Sequence, residues 1–132
     1  MAAILIVDDN PTIRAIVKLY LAGPDREFAE AADGEQALHL VHRERMDLVI
    51  VDVVMPRKDG LTFVRELRAS ADPRVRDLPV VLLTGQLTEE EGAQRTQEVG
   101  ADALVLKPIT GPRLQQAVDG LLGGPPSPPA QG

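Results

Sequence analysis

The sequence predicts an α/β domain, a doubly wound, five-stranded parallel sheet covered by five helices. Three observations predict it. Short apolar runs recur five times, at Ala3–Val7, Glu27–Ala32, Leu48–Asp52, Pro79–Thr84 and Ala103–Leu106. Each is followed by a stretch whose apolar residues fall at helical spacing. The central run, Leu48-Val49-Ile50-Val51, is rich in β-branched residues and shows no alternation, the pattern of a parallel strand buried on both faces. Buried strands alternating with amphipathic helices give a sheet covered on both sides, and right-handed crossovers restrict its winding.

Each element has a local reason. After the first strand, Asn10-Pro11 reads as a helix N-cap followed by an N1 proline. Ile13, Ile16, Val17 and Tyr20 mark one face of a helix over residues 11–22, which Gly23-Pro24 stops. The second strand is less apolar than the others and is placed nearer the sheet edge. Asp33 caps the next helix, Gln36 is placed for a capping box, and Ala37, Leu38 and Val41 form the buried face. The third strand leads through a Pro56-to-Gly60 turn into a helix marked by Leu61, Val64 and Leu67, which frays into an Arg- and Asp-rich loop around Pro73.

In the second half, Val80-Val81-Leu82-Leu83 is the buried run of the fourth strand, and Thr88 with Glu91 forms another capping-box pair. The helix behind that pair is mostly polar. It contains Gly92, which costs about 1 kcal/mol relative to alanine in a helix interior, and is expected to be the least stable of the set. Lys107-Pro108 closes the fifth strand. Thr110 caps a last helix that buries Leu114, Ala117, Val118 and Leu121, and Gly123-Gly124 ends it. Residues 1–122 therefore read as one domain. Residues 123–132 (GGPPSPPAQG) have no side chains able to join a core and read as a tail or linker spanning at most roughly 30 Å.

Composition excludes several function classes. The 132 residues suit a single core. The absence of cysteine removes disulfides, thiolate nucleophiles and cysteine-bound zinc, and fits a reducing, cytoplasmic setting. The longest apolar runs are strand-sized, so no membrane span is expected, and the N-terminus lacks the basic start of a signal peptide. A net charge of −6 argues against direct nucleic-acid binding. The few aromatics, Tyr20, Phe28 and Phe63, disfavour base-stacking platforms and aromatic-walled flavin sites.

In a parallel sheet all strand carboxyl ends share one edge, and ligands bind there where the strand order reverses. The first strand ends in Asp8-Asp9, the third in Asp52, the fourth in Thr84 and the fifth in Lys107. With order 2-1-3-4-5, the first and third strands are neighbours at that crevice. Three converging carboxylates repel one another. A hard cation such as Mg²⁺ relieves this, since it prefers oxygen ligands and is usually held by one or two carboxylates plus a phosphate. Lys107 adds a point charge and Thr84 a hydroxyl, both suited to phosphoryl oxygens.

The sequence resembles the receiver domain of two-component response regulators. The matching segments are Ile6-Val7-Asp8-Asp9-Asn10, Ala32-Asp33-Gly34-Glu35-Gln36-Ala37-Leu38, Asp47-Leu48-Val49-Ile50-Val51-Asp52, Met55-Pro56-Arg57-Lys58-Asp59-Gly60, Leu83-Thr84-Gly85 and Leu106-Lys107-Pro108, which together span nearly all of residues 3–122. The resemblance implies a flavodoxin-like fold and a stand-alone signalling module like the chemotaxis regulators, not an enzyme. The alternative is a receiver fragment of a larger regulator whose output domain is missing.

By residue, the resemblance implies that Asp52 accepts a phosphoryl group from a sensor histidine kinase or phosphotransfer protein. Asp9 would ligate Mg²⁺ directly, Asp8 largely through water, and Asp52 with the Val54 backbone carbonyl would complete the protein's share. Lys107 would pair with one phosphoryl oxygen and Thr84 would hydrogen-bond another. The Lys107-Pro108 bond would be cis, a state found in about 5–6% of X–Pro bonds. Output would pass to a downstream protein, from a monomer or weak dimer, through the fourth helix, the fifth strand and the fifth helix. The sequence departs from the family at Leu104, where members usually carry Tyr or Phe. Coupling through a leucine is steric and smaller, or the output uses another face. Val54 and Gln86 occupy the positions that tune acyl-phosphate hydrolysis.

Other features have plainer readings. His39 and His42 share a helix face and read as a solvated pair. Arg65, Arg68, Arg74 and Arg76 read as a solvated helix end. Glu89-Glu90-Glu91 matches a helix N-terminal dipole. An aspartyl phosphatase needs a second acid two residues after its nucleophile, where Asp52 is followed by Val54 and Asp8 by Asn10. A flavodoxin-type electron carrier needs a Ser/Thr/Gly-rich loop after the first strand, which is missing.

Overall fold

The computed structural model describes residues 1–122. Among them, β1 (Ala2–Val7), β2 (Arg26–Ala31), β3 (Leu48–Asp52), β4 (Val80–Thr84) and β5 (Ala103–Leu106) form one parallel sheet in the order β2-β1-β3-β4-β5. The helices are α1 (Pro11–Leu21), α2 (Gly34–Arg43), α3 (Gly60–Arg68), α4 (Pro73–Arg76), α5 (Glu89–Val99) and α6 (Gly111–Leu121). Fold class and strand order are those the sequence predicts, with β2 at an edge. The proline-rich stretch 123–132 and the Gly123-Gly124 helix stop lie outside the described residues.

Strand side chains alternate between two cores because both faces are covered. Leu5, Val7, Val49, Val51, Val80 and Leu82 pack with Val41 of α2, Phe63, Val64 and Leu67 of α3, and Val99 of α5. Ile4, Ile6, Leu48, Ile50, Val81 and Leu83 pack with Val17 and Leu21 of α1 and Leu114 and Val118 of α6. Strands β1, β3, β4 and β5 therefore read as continuous apolar runs with polar groups only where they end, while the edge strand β2 carries Glu27 and Glu30 along its length.

The structure adds one helix to the expected five. The segment around Pro73 is a helical turn, α4, in which Asp72 accepts a hydrogen bond from the Arg74 amide ahead of an N1 proline. Asp72-Pro73 is the same signal as Asn10-Pro11, compressed into four residues.

The caps follow the sequence with two differences. Asn10 caps α1 by accepting from the Thr12 amide, and Thr88 with Glu91 forms a complete capping box on α5. Asp33 accepts from the Gln36 backbone amide, but the Gln36 side-chain Oε1 accepts from the Ala32 amide instead of that of Asp33. Thr110 stands at the N-cap of α6 without a side-chain cap bond. Pro112 occupies the second helical position and has no N–H to offer it.

Arg68 is also not a solvated helix end. Its guanidinium donates to the carbonyls of Gly100, Arg76 and Leu78 at 2.6–2.8 Å and to Asp102 at 3.0 Å, joining the end of α3 to α4, β4, α5 and β5. His39 and His42 are exposed, and their ring nitrogens face Arg43 and the Leu38 carbonyl.

Candidate functional site

The site forms where four strands run out. The β1–β3 register places Val7 beside Val51, so Asp8 and Asp52 are the next residues on adjacent strands. The β3–β4 register places Asp52 beside Leu83, one residue before Thr84, and β4–β5 places Thr84 beside Leu106, one before Lys107. The Lys107 amide donates to the Thr84 carbonyl at 2.8 Å, extending that ladder past the strand ends.

Carboxylate oxygens of Asp8, Asp9 and Asp52 all lie within 4.8 Å of one another. Asp8 and Asp52 are buried and Asp9 is exposed, so the cluster opens to solvent on one side. Lys107 Nζ stands 3.4 Å from both Asp8 Oδ2 and Asp52 Oδ2. Asp8 Oδ1 accepts from the Asn10 amide at 2.9 Å. The Val54 amide lies 3.4 Å from Asp52 Oδ1, beyond the ordinary hydrogen-bond range, and the Val54 side chain is exposed. Burial, followed by the charge of Asp8, pushes the Asp52 carboxyl above its ordinary pKa, and Lys107 opposes this. Among the described residues, then, Asp52 is a buried carboxylate with no short donor.

Thr84 is fully buried, and its Oγ1 accepts from the Gln86 amide at 3.2 Å. The Lys107-Pro108 bond is cis. Two glycines let backbone approach the site. A Cβ on Gly60 would collide with the Asp52 carbonyl, and one on Gly85 would lie 3.2 Å from the Lys107 Cβ. Gly60 N donates to the Val53 carbonyl at 2.9 Å, so the start of α3 rests on the acceptor strand.

The structure thus brings Asp8, Asp9, Asp52 and Lys107 together and places Thr84 and Val54 at the ends of the same strands. Sequence reasoning read Asp33 only as a cap and gave Arg57 no role. In the structure Arg57 donates to Asp33 at 2.8 Å, with Arg57 in the left-handed region (φ 63). Residue preference gave no signal for this, because arginine rarely adopts that conformation.

Known proteins resemble this chain in sequence and in fold. Residues 4–119 match the response regulator receiver domain family. The chain is 35% identical over 119 residues to the protein named "Probable transcriptional regulator ycf27" of Guillardia theta, covering 90% of this chain and 44% of that one. It spans less than half the length of the ycf27 relatives it matches. The structure of chemotaxis protein CheY4 of Vibrio cholerae superposes with a TM-score of 0.81 at 32% identity, covering 92% of this chain and 98% of that one. The signal receiver domain of a histidine kinase from Syntrophus aciditrophicus also gives 0.81, at 31% identity, covering 99% and 96%. An acidic cluster at the carboxyl edge of a 2-1-3-4-5 sheet, in a chain whose residues 4–119 match the family along nearly the whole domain, leaves one conclusion: the chain belongs to the response regulator receiver domain family.

Proposed function

We propose that this receiver domain accepts a phosphoryl group on Asp52 from a histidine of a sensor kinase or phosphotransfer protein, with Mg²⁺ in the acidic cluster. The change is then read by a downstream protein. One observation carries the reading: Asp52 is a buried carboxylate without a short donor, clustered with Asp8 and Asp9 and faced by Lys107.

The donor set fits a hard divalent cation, since it offers carboxylate oxygens and an exposed side for water. Asp9 and Asp52 would bind it directly, Asp8 through water, and the Val54 carbonyl would add a backbone ligand. Bound there, Mg²⁺ supplies charge neutralisation for the carboxylates and the transferring phosphoryl oxygens.

The remaining work falls to side chains. An Asp52 oxygen forms the new P–O bond as the donor's P–N bond breaks, and the donor histidine, protonated on its far nitrogen, leaves as neutral imidazole. The protein need only align the partners and balance charge. Lys107, standing between Asp8 and Asp52, keeps a positive charge beside the acceptor throughout. The Thr84 hydroxyl accepts from Gln86 and keeps its own proton to donate to a phosphoryl oxygen.

The domain acts as a signalling module, not as an enzyme on outside substrates, and as a monomer or weak dimer in the cytoplasm. Its acidic surface suits a protein target better than nucleic acid. No helix among the described residues is long and apolar enough to cross a membrane. The test is labelling by acetyl phosphate with and without Mg²⁺, read by intact mass. One phosphoryl group is expected on the wild type with Mg²⁺, and none on Asp52→Asn or after chelation. Undiminished labelling of Asp52→Asn would sink the assignment.

A further inference from the structure

The loop after β3 leaves and rejoins the sheet at one residue. The Val53 amide donates to the Leu83 carbonyl, and the Val53 carbonyl accepts from the Gly60 amide, both at 2.9 Å. Residues 54–59 are therefore closed at their base. Val54 is the first residue of that loop and lies against Asp52.

The far end of the loop is held elsewhere. Arg57 Nη1 donates to Asp33 Oδ2 at 2.8 Å, and the Gly34 amide donates to the Lys58 carbonyl at 3.2 Å. A Cβ on Gly34 would press on that same carbonyl at 2.7 Å, so the first turn of α2 is in close contact with the loop. The Asp33 side chain is 8% exposed, and both its oxygens are spent, one on Arg57 and one on the Gln36 amide.

Arg57 has φ 63, a left-handed conformation. A non-glycine residue held in such a region is strained and persists only where its surroundings over-determine it. Here the surroundings are Asp33. Pro56, with its own φ restricted by the ring, and the buried Met55 carry that constraint along three peptides to Val54.

We propose that the Asp33–Arg57 ion pair is a latch that sets the position of the Val54 peptide and so tunes the divalent-cation affinity of the acidic cluster. Neither residue forms a hydrogen bond or ion pair with Asp8, Asp9 or Asp52; both are positioning residues. The latch rests on the cation reading given above. With the pair broken, residue 57 is no longer held at its left-handed φ, and the peptides between it and Val54 are free to reorient with it.

The experiment is an Mg²⁺ titration of the full chain followed by amide resonances, on wild type, Asp9→Asn, Arg57→Gly, Asp33→Asn and the Arg57→Gly/Asp33→Asn double variant. Glycine accepts the left-handed φ freely, and asparagine keeps an acceptor for the Gln36 amide. Stability without metal should therefore stay near wild type in both single variants. Wild type should bind, and Asp9→Asn should lose binding. Each latch variant should weaken affinity on the order of tenfold, the low end for partners that orient metal ligands, and the double variant should be no weaker than either single. Arg57→Lys should recover part of the loss.

Wild-type affinity in Arg57→Gly and Asp33→Asn, while Asp9→Asn fails to bind, overturns the latch and leaves the cation site standing. So does an affinity loss in the double variant equal to the sum of the singles, or a loss of metal-free stability with affinity unchanged. If wild type and Asp9→Asn respond to Mg²⁺ alike, the cation site itself falls and the latch with it.

Discussion

Gly92 of α5 lies against Leu104 of β5 so closely that a methyl group on Gly92 would collide with the Leu104 Cδ2. Gly92 is buried in a helix that otherwise buries only Val99. The glycine that looked like a propensity defect is the hole into which Leu104 fits. Leu104 also lines a groove of about 770 Å³ between α5 and α6, bordered by Ala93, Thr96, Arg113 and Ala117.

That pairing fixes the outcome of Gly92→Ala. Alanine gains about 1 kcal/mol of helix propensity, but Leu104 must swing toward the groove to admit it. Because a flexible side-chain end yields and not backbone, the two effects should nearly cancel. In a Leu104→Ala background the same substitution should stabilise by about 1 kcal/mol. Urea unfolding of the four proteins gives a coupling of about 1 kcal/mol, within the range for residues in contact. Equal effects in both backgrounds would show that the two side chains do not share space.

Asp52 makes stability depend on pH in a direction set by its raised pKa. Below the ordinary carboxyl value of 3.8, both folded and unfolded chains carry the proton and nothing is lost. As pH rises from there through the folded-state pKa, the unfolded chain ionises more readily and folding weakens. Asp52→Asn cannot ionise. In chelator-treated buffer it should melt above wild type at pH 7, with the gap closing toward pH 3.5. Added Mg²⁺ should stabilise wild type and not the variant. A gap independent of pH would assign the effect to packing instead of charge.

Arg68 spends its guanidinium on three carbonyls and on Asp102, which in turn accepts from the Val80 amide. Arg68→Ala should cost about 2 kcal/mol, in the range for hydrogen bonds to a charged group whose partners keep some access to water. Arg68→Lys should recover less than half, because an ammonium cannot present a fork to four acceptors. Thermal unfolding gives the totals. Hydrogen exchange should locate the loosening at Gly100–Asp102 and the start of β4.

Much of the fold was legible because its signals are periodic or punctual. Both-face burial produced unbroken aliphatic runs, and Asn10-Pro11, Asp33 and Thr88 announced three helix starts. Misread positions either lacked such a signal or had it overridden by another residue, near or far in sequence. Thr110 lost its cap bond to Pro112, Arg68 was drawn from solvent to four distant acceptors, and α4 was too short to show a period.

The candidate site divides in the same way. A parallel sheet puts every strand's carboxyl end on one edge, so the order of elements alone grouped Asp8, Asp9, Asp52, Thr84 and Lys107. Distances within that group, the proton affinity of Asp52, the fit of Leu104 into Gly92 and the hold of Asp33 on Arg57 came only with tertiary structure. Each depends on side chains brought together from separate elements, 12 residues apart for Gly92 and Leu104 and 24 for Asp33 and Arg57. Periodicity reports which face of an element is buried; it carries no information on which side chain from another element will meet it there, because packing settles that contact only after the layers have closed.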